Sequence, residues 1–341
     1  MFSTVLQELK GYFGRDFLLA AFFPVLFFVG LSLALSLEIT RGLGAALAGW
    51  ETLPGLTRGL TLAGLTVAVT VAAYLLYNAQ YVLIRLFEGY WPRWLHRLRN
   101  LRTGFYKKRW EYLNALAGAA PTPQEANEIW AELLAFYPPP NHLDKMMPTR
   151  LGNILRAAEI YPYDRYGIDA AILWPRLRPL LSPETMALLE DRKTTMAFML
   201  SMALLSALFS LLWCPLFALS SNRWDLFLLC ALGWPLAWLC YEGAVQSAVA
   251  YGQQLQATFD LHRRALLQAL DRPLPADAGA ERKEWLRLTR FFYRNLPLPS
   301  PTPAPPPSPK GWERVAETLA DYLERSLRSP RAPRPEEEEQ P

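Results

Sequence analysis

Residues 194–222 read TTMAFMLSMALLSALFSLLWCPLFALSSN, 29 consecutive positions without a charge. A helix needs roughly 20 apolar residues to cross the ~30 Å hydrocarbon core of a bilayer. This stretch is long enough to span, and it organises the rest of the chain around a membrane. Three further blocks match it. Phe17 to Leu37 holds 21 uncharged residues and Gly59 to Ile84 holds 26. The fourth runs from Leu226 to Tyr241, meets Glu242, and continues uncharged to Thr258.

The sequence therefore predicts an all-α fold: a four-helix transmembrane bundle with a helical cytoplasmic layer and a Pro-rich C-terminal arm. The expected spans are 17–37, 59–84, 194–220 and 225–247. Residues 1–16 are expected to form an interfacial amphipathic helix, with Val5, Leu6, Leu9, Tyr12 and Phe13 at helical spacing. Residues 85–193 and 248–296 form the cytoplasmic helical regions. Beyond them come a Pro-rich linker at 297–309, a short amphipathic helix at 310–328 and a disordered acidic tail at 329–341. In a chain of 341 residues, 52% hydrophobic and 19% charged, this clustering of apolar residues excludes a single-domain soluble enzyme.

Orientation follows from the basic residues in the connections. Glu38 to Arg58 carries only Arg41 and Arg58, and the turn between the last two spans carries only Arg223. Arg85 to Lys193 carries 16 basic residues, eight of them between Arg85 and Arg109, and 14 more follow Glu242. Both termini and the central segment are expected in the cytoplasm, with the spans in a cell inner membrane.

Within the spans, Pro24, Pro215 and Pro235 each remove a backbone donor and favour a bend. Gly64, Ala68 and Ala72 recur every four residues in the second span, and Ala244, Ala248 and Gly252 in the fourth, rows that let another backbone approach closely. Polar side chains gather toward the inner end: Asn78 and Gln80 in the second span, Glu242 and Gln246 in the fourth. They form a candidate intramembrane polar site, in which Glu242 either snorkels or pairs with Arg85.

The central segment opens with an arginine-rich aromatic helix. Trp94, Leu98, Leu101 and Phe105 share a stripe flanked by Arg97, Arg99 and Arg102, a pattern suited to an anionic inner leaflet and not to nucleic acid in this position. Thr122, Pro123 and Glu125 mark a second helix start, with Trp130, Leu133, Leu134 and Tyr137 as its apolar face. Thr149 caps a third helix whose inner side is Leu151, Ile154, Leu155 and Ala158. Tyr161-Pro162 is expected to end it, and Trp174-Pro175 to end the element after it. Arg150, Asn153, Arg156, Glu159, Asp164, Arg165 and Asp169 form a candidate cytoplasmic polar network. Near Pro183 a long helix is expected to run directly into the third span, and the fourth span is expected to continue toward Leu270. Glu281 to Leu296 reads as a basic amphipathic helix docking on the membrane through Trp285, Leu288 and Phe292.

The run from Thr149 through Arg150, Leu151, Gly152, Asn153, Leu155, Arg156, Ala157, Ala158 and Glu159 continues with Arg165, Tyr166, Gly167, Asp169 and Trp174-Pro175-Arg176-Leu177. It resembles a family of uncharacterised bacterial multi-pass membrane proteins. The resemblance covers about 35 residues and the two spans on either side, and it implies a bacterial inner-membrane protein without implying a reaction.

No phosphate loop, dinucleotide-binding turn, nucleophile elbow or HExxH helix occurs in the sequence. The three cysteines, Cys214, Cys230 and Cys240, lie in the apolar blocks, and the three histidines, His96, His142 and His262, are scattered. No catalytic residue, cofactor or metal is expected. The favoured expectation is a membrane scaffold or signalling component that recruits cytoplasmic proteins through 310–328. The alternative is an oligomeric channel or transporter, formed from copies of this chain, with a pathway lined by the second and fourth spans.

Overall fold

The computed structural model describes residues 14–219, 223–294, 316 and 318–321. All the regular structure among them is helical. Four helices are long and apolar enough to cross a membrane.

The first, α1, covers Arg15–Arg41. It widens into a π-helical turn at Leu18–Phe22 just before Pro24. Proline has no N–H to return to the preceding turn, and the wider turn absorbs that missing donor. Gly42 ends α1, and a short helix, α2 (Leu43–Thr52), fills a connection in which the sequence signalled no helix. The second spanning helix, α3, runs Gly55–Glu88, well beyond its expected limits. Then come α4 (His96–Gly118), α5 (Pro123–Phe136), α6 (Arg150–Tyr166) and α7 (Ala170–Leu177). The third spanning helix, α8 (Pro183–Leu219), is 37 residues long. The last comprises α9 (Trp224–Ala231) and α10 (Gly233–Ala269), parted by one turn residue at Leu232. Finally, α11 covers Ala278–Arg294.

Successive spanning helices alternate in direction. Arg15 at the start of α1 bonds Asp191 near the start of α8 at 2.8 Å, and Thr194 donates to Asp16 at 2.8 Å. At the far end of the bundle Arg223 donates to Glu38 at 3.1 Å. The ends of α3 and α10 therefore share one side with α4–α7 and α11, which form an extramembrane layer.

The pair α8 and α10 is the spine. Leu200 and Met196 pack on Ala244, Val245 and Ala248, all buried. Small residues at 244 and 248 let α8 and α10 close, while Gly252 faces α6, where an added Cβ would lie 3.1 Å from Ala158. The row on α3 behaves otherwise: Gly64 and Ala68 are exposed, and α3 packs instead through Val69 and Ala73 against Phe17, Leu18 and Ala21.

The layer is anchored where α3 ends. Gly89, at φ +102°, caps α3, and an added Cβ there would lie 2.3 Å from the Pro148 ring. Gly152 sits closer still: its Cβ would fall 2.0 Å from the Glu88 carbonyl oxygen. Only glycine permits both approaches. Thr149 caps α6 by accepting from the Gly152 N–H at 3.0 Å and donates to the Glu88 carbonyl at 2.9 Å. One hydroxyl thus satisfies the start of one helix and the end of another.

Three expectations need correction here. Pro162 does not end α6, which continues to Tyr166 and stops at Gly167 (φ +79°). Pro175 likewise lies inside α7. A proline costs one hydrogen bond, and the packing of Ile160, Ile168 and Leu173, all buried, outweighs it. The face of α11 expected on the membrane is turned into the protein: Trp285 and Leu288 are 0% and 1% exposed. Burial there is favoured because Glu281 and Glu284 on α11 find Arg263 and Arg272 at 2.8 and 2.9 Å.

The expected N-terminal helix at 1–16 falls almost wholly outside the described residues, as do 297–309 and 329–341. Of 310–328, positions 316 and 318–321 are described and helical.

Candidate functional site

The candidate intramembrane polar residues do not form one constellation. Asn78 is exposed and donates back to the Tyr74 carbonyl of its own helix at 2.8 Å. Gln246 is exposed on α10. Gln80 is half-buried, and its amide nitrogen is enclosed without a hydrogen-bond partner among the described residues. Glu242 alone acquires a charged partner, and it is not Arg85. Arg150 donates to it at 2.9 Å, joining the first turn of α6 to α10. Arg85 instead donates to the Tyr81 hydroxyl at 2.6 Å and lies 3.9 Å from the centre of the Tyr90 ring. Phe87 and Tyr241 stack at 6.0 Å beside this junction, and Arg150 lies 4.9 Å from the Phe136 ring.

The seven residues of the candidate layer network take separate tasks. Arg150 reaches Glu242, as described. Asn153, 0% exposed, uses both ends of its amide on one loop residue: it accepts from the Met147 N–H at 2.7 Å and donates to the Met147 carbonyl at 3.0 Å. Arg156 binds Glu159 at 2.7 Å, one helical turn on, and donates to the Tyr90 hydroxyl. Asp164 faces His142 at 3.8 Å, and its carbonyl accepts from Arg282 at 2.7 Å. Arg165 is exposed beside Tyr166. Asp169 caps α7 by accepting from the Ile172 N–H at 3.2 Å. A single mutual network is replaced by ties to neighbouring elements, because 156 faces away from 150, and 164, though on nearly the same side, lies about 21 Å further along the helix.

A second polar cluster centres on Asp260, and of these seven residues Arg165 borders it beside Tyr166. Asp260 on α10 accepts from the Tyr161 hydroxyl at 3.0 Å and the Tyr166 hydroxyl at 2.7 Å. Arg263, one turn later, lies 4.3 Å from the Tyr166 ring and bonds Glu281, which also accepts from the Trp285 indole at 3.4 Å. Burial, then the hydrogen bond to Asp260, pushes the Tyr161 phenol up to about 12, and the same causes raise Tyr166. Burial also raises Tyr137. These phenols remain protonated at neutral pH, so Tyr161 and Tyr166 clasp Asp260 as donors.

Sequence reading passed over this clasp because Asp260 and Arg263 lie on the continuation of an apolar span. The usable signal was the matching i, i+3 spacing of Asp260/Arg263 and Glu281/Glu284. Among the described residues, no group of three His, Cys, Asp or Glu side chains is arranged to hold a metal.

No protein family, curated protein or solved structure matches the chain.

The outer face of α4, together with Trp94 in the turn that precedes it, is the other feature that stands out. Trp94, Leu98, Leu101, Phe105 and Tyr112 are 77%, 46%, 69%, 52% and 63% exposed. The opposite face, Tyr106, Trp110 and Leu113, is buried against Leu133, Tyr137 and Met146 of the α5 hairpin. Arg102 lies beside Leu86, Phe87 and Tyr241 around a small cavity, so α4 passes the bundle near the level where α3 ends. Of the expected face of α5, Leu133 and Tyr137 are buried while Trp130 and Leu134 remain exposed.

Proposed function

We propose that the protein is an integral scaffold of a bacterial inner membrane, both chain ends cytoplasmic, holding a rigid helical layer against the inner leaflet to recruit cytoplasmic proteins. The observation that carries this reading is the continuity of α8 and α10 with the layer. Each is 37 residues, or about 55 Å at 1.5 Å per residue, far beyond the ~30 Å hydrocarbon core. Their extensions carry the Asp260 clasp and the docked α11, so the layer and the bundle are parts of one folded body.

The orientation rests on the basic residues. Between His96 and Gly118 stand Arg97, Arg99, Arg102, Lys107, Lys108 and Arg109 against the single acid Glu111. An apolar stripe with such flanks favours anionic headgroups, and its like charges oppose pairing with the same stripe of a second copy. The terminal segment 310–328 is the proposed recruiting element.

A conduit between the second and fourth spans has less support. Asn78 spends its amide on the Tyr74 carbonyl of its own helix, and Glu242 is paired with Arg150. Purified protein in liposomes is expected to pass no ion or small solute selectively; robust selective flux would overturn the scaffold reading. Partner capture with and without 310–328 is the companion measurement. Loss of partners on deletion is expected, and identical catches would discard that segment as the recruiting element.

A further inference from the structure

At the end of the bundle remote from the layer, α1, α8, α9 and α10 enclose a cavity of about 530 Å³. That volume lies in the range of sites that accept small-molecule ligands. Its walls are almost wholly apolar, with Leu31, Leu205, Phe209 and Leu236 among them. The cavity sits in the elbow between α9 and α10. Pro235 cannot donate back to the preceding turn, and Ser210 on α8 donates to the Cys230 carbonyl at 2.7 Å, stabilising the broken helix there.

The cavity is open on one side. Phe27 of α1, Leu229 of α9 and Leu232 at the turn line it, yet are 49%, 51% and 61% exposed. In a helix bundle read as spanning a membrane, that opening faces hydrocarbon. A water-filled apolar chamber there is unfavourable, and a lipid chain satisfies the walls.

The rim is polar and asymmetric in charge. Glu38 lines the cavity mouth. Arg223 donates to Glu38 at 3.1 Å and to both oxygens of Asp225 at 3.3 Å. The Leu43 N–H donates to the second oxygen of Glu38 at 2.8 Å. One guanidinium is thus shared by two carboxylates, so this triad carries one more negative than positive charge, while Arg41 stands exposed one turn beyond Glu38. The Asp225 side chain is 65% exposed and available to a cation. The exposed Trp224 ring beside it suits the headgroup depth of a bilayer.

We infer that this cavity is a lipid-binding site: it takes one acyl chain of a glycerophospholipid from the surrounding leaflet and holds an ammonium-bearing headgroup against Asp225 and Glu38. This inference rests on the membrane reading of the four helices and is independent of the scaffold proposal. The two ends of the bundle then prefer opposite headgroups, anionic beside α4 and amine-bearing at the Glu38 rim.

The test is native mass spectrometry of the full-length protein, released from detergent after incubation with equal amounts of ethanolamine-headed and glycerol-headed phospholipids of the same chains. One ethanolamine-headed lipid retained per chain is the expected result. Ala34→Trp places an indole in the cavity and is expected to lower retention about tenfold, equivalent to about 1.4 kcal/mol. Because that variant risks misfolding, Glu38→Gln with Asp225→Asn provides a milder second arm. It is expected to keep a bound lipid and abolish the preference for the amine head. No retained lipid, equal retention in a folded Ala34→Trp protein, or a headgroup preference unaltered by the double substitution would each overturn the site. None of these outcomes bears on partner recruitment, so the scaffold reading and this site fail separately.

Discussion

Replacing Gly152 with alanine is expected to pry α6 from the end of α3. The added Cβ would lie 2.0 Å from the Glu88 carbonyl oxygen and 2.9 Å from the Thr149 hydroxyl oxygen, whereas ordinary contact begins at 3.4 Å. The first obstacle is backbone, with no flexible side-chain tip to swing aside. An opening of about 1.4 Å is therefore required, which breaks the 2.9 Å hydrogen bond from Thr149 to Glu88. Overpacking of this kind costs about 1–3 kcal/mol, and the lost hydrogen bond adds about 1 kcal/mol. The sum is about 2–4 kcal/mol, expected to fall on the joint between the layer and the bundle. The assay is denaturant unfolding of the purified full-length protein in mild detergent, combined with hydrogen exchange of the α6 amides. Thr149→Ser, which keeps a hydroxyl, serves as the control and is expected to stay near wild type. A Gly152→Ala protein within about 0.5 kcal/mol of wild type, with unchanged α6 exchange, would refute the reasoning.

Trp285→Ala, at a position 0% exposed, is expected to cost about 3–5 kcal/mol and to free α11 for limited proteolysis; wild-type cleavage rates would contradict it. Tyr161 gives a pH signature. Its phenol is held protonated in the fold and raised from 10 to about 12, so its contribution is intact below pH 10 and is lost as pH rises toward 12. Tyr161→Phe is expected to flatten that alkaline loss of stability in a melting series, and an identical profile would count against it. The Arg150–Glu242 pair has side chains 38% and 33% exposed, so a double-mutant cycle is expected to give a coupling of only about 0.2–1 kcal/mol. A coupling above about 3 kcal/mol would mean that the pair is desolvated in the membrane. Serine at both Trp94 and Phe105 is expected to weaken the contact of α4 with anionic bilayers, read as reduced quenching of α4-attached fluorophores by lipid-borne quenchers. Equal quenching would place that face elsewhere.

Three of the four spanning helices were legible because uncharged runs of 21 to 29 residues admit few alternatives, and the fourth because a run of 16 resumes directly after the single charge of Glu242. The caps at Thr122 and Thr149 were legible for a similar reason, since each sits at a fixed offset from the amide it accepts. The expected run of α8 from Pro183 into the third span also matches the structure. Pro162 and Pro175 misled because local propensity cannot register how much apolar surface the continued helices bury. The face of α11 misled for a different reason. Amphipathicity shows that a face wants cover, but the partner is set by tertiary structure: here Arg263 and Arg272 meet the acids beside Trp285. Glu242 was singled out in the sequence as an unusual charge. Its partner lies 92 positions away on α6, a distance at which a single sequence holds no pairing signal. The π-helical turn ahead of Pro24 left its cause in the sequence and its form only in the structure.

The unbroken length of α8 has a mechanical consequence. A stiff rod anchored in lipid and projecting some 25 Å past it, by the 1.5 Å rise per residue, acts as a lever. When the bilayer thins and such rods lean to keep their greasy middle covered, an extra inclination of about 10° displaces their free ends sideways by roughly 4 Å. Bilayer thickness is thereby converted into lateral position of whatever the rods carry, with no hinge between them to absorb the motion.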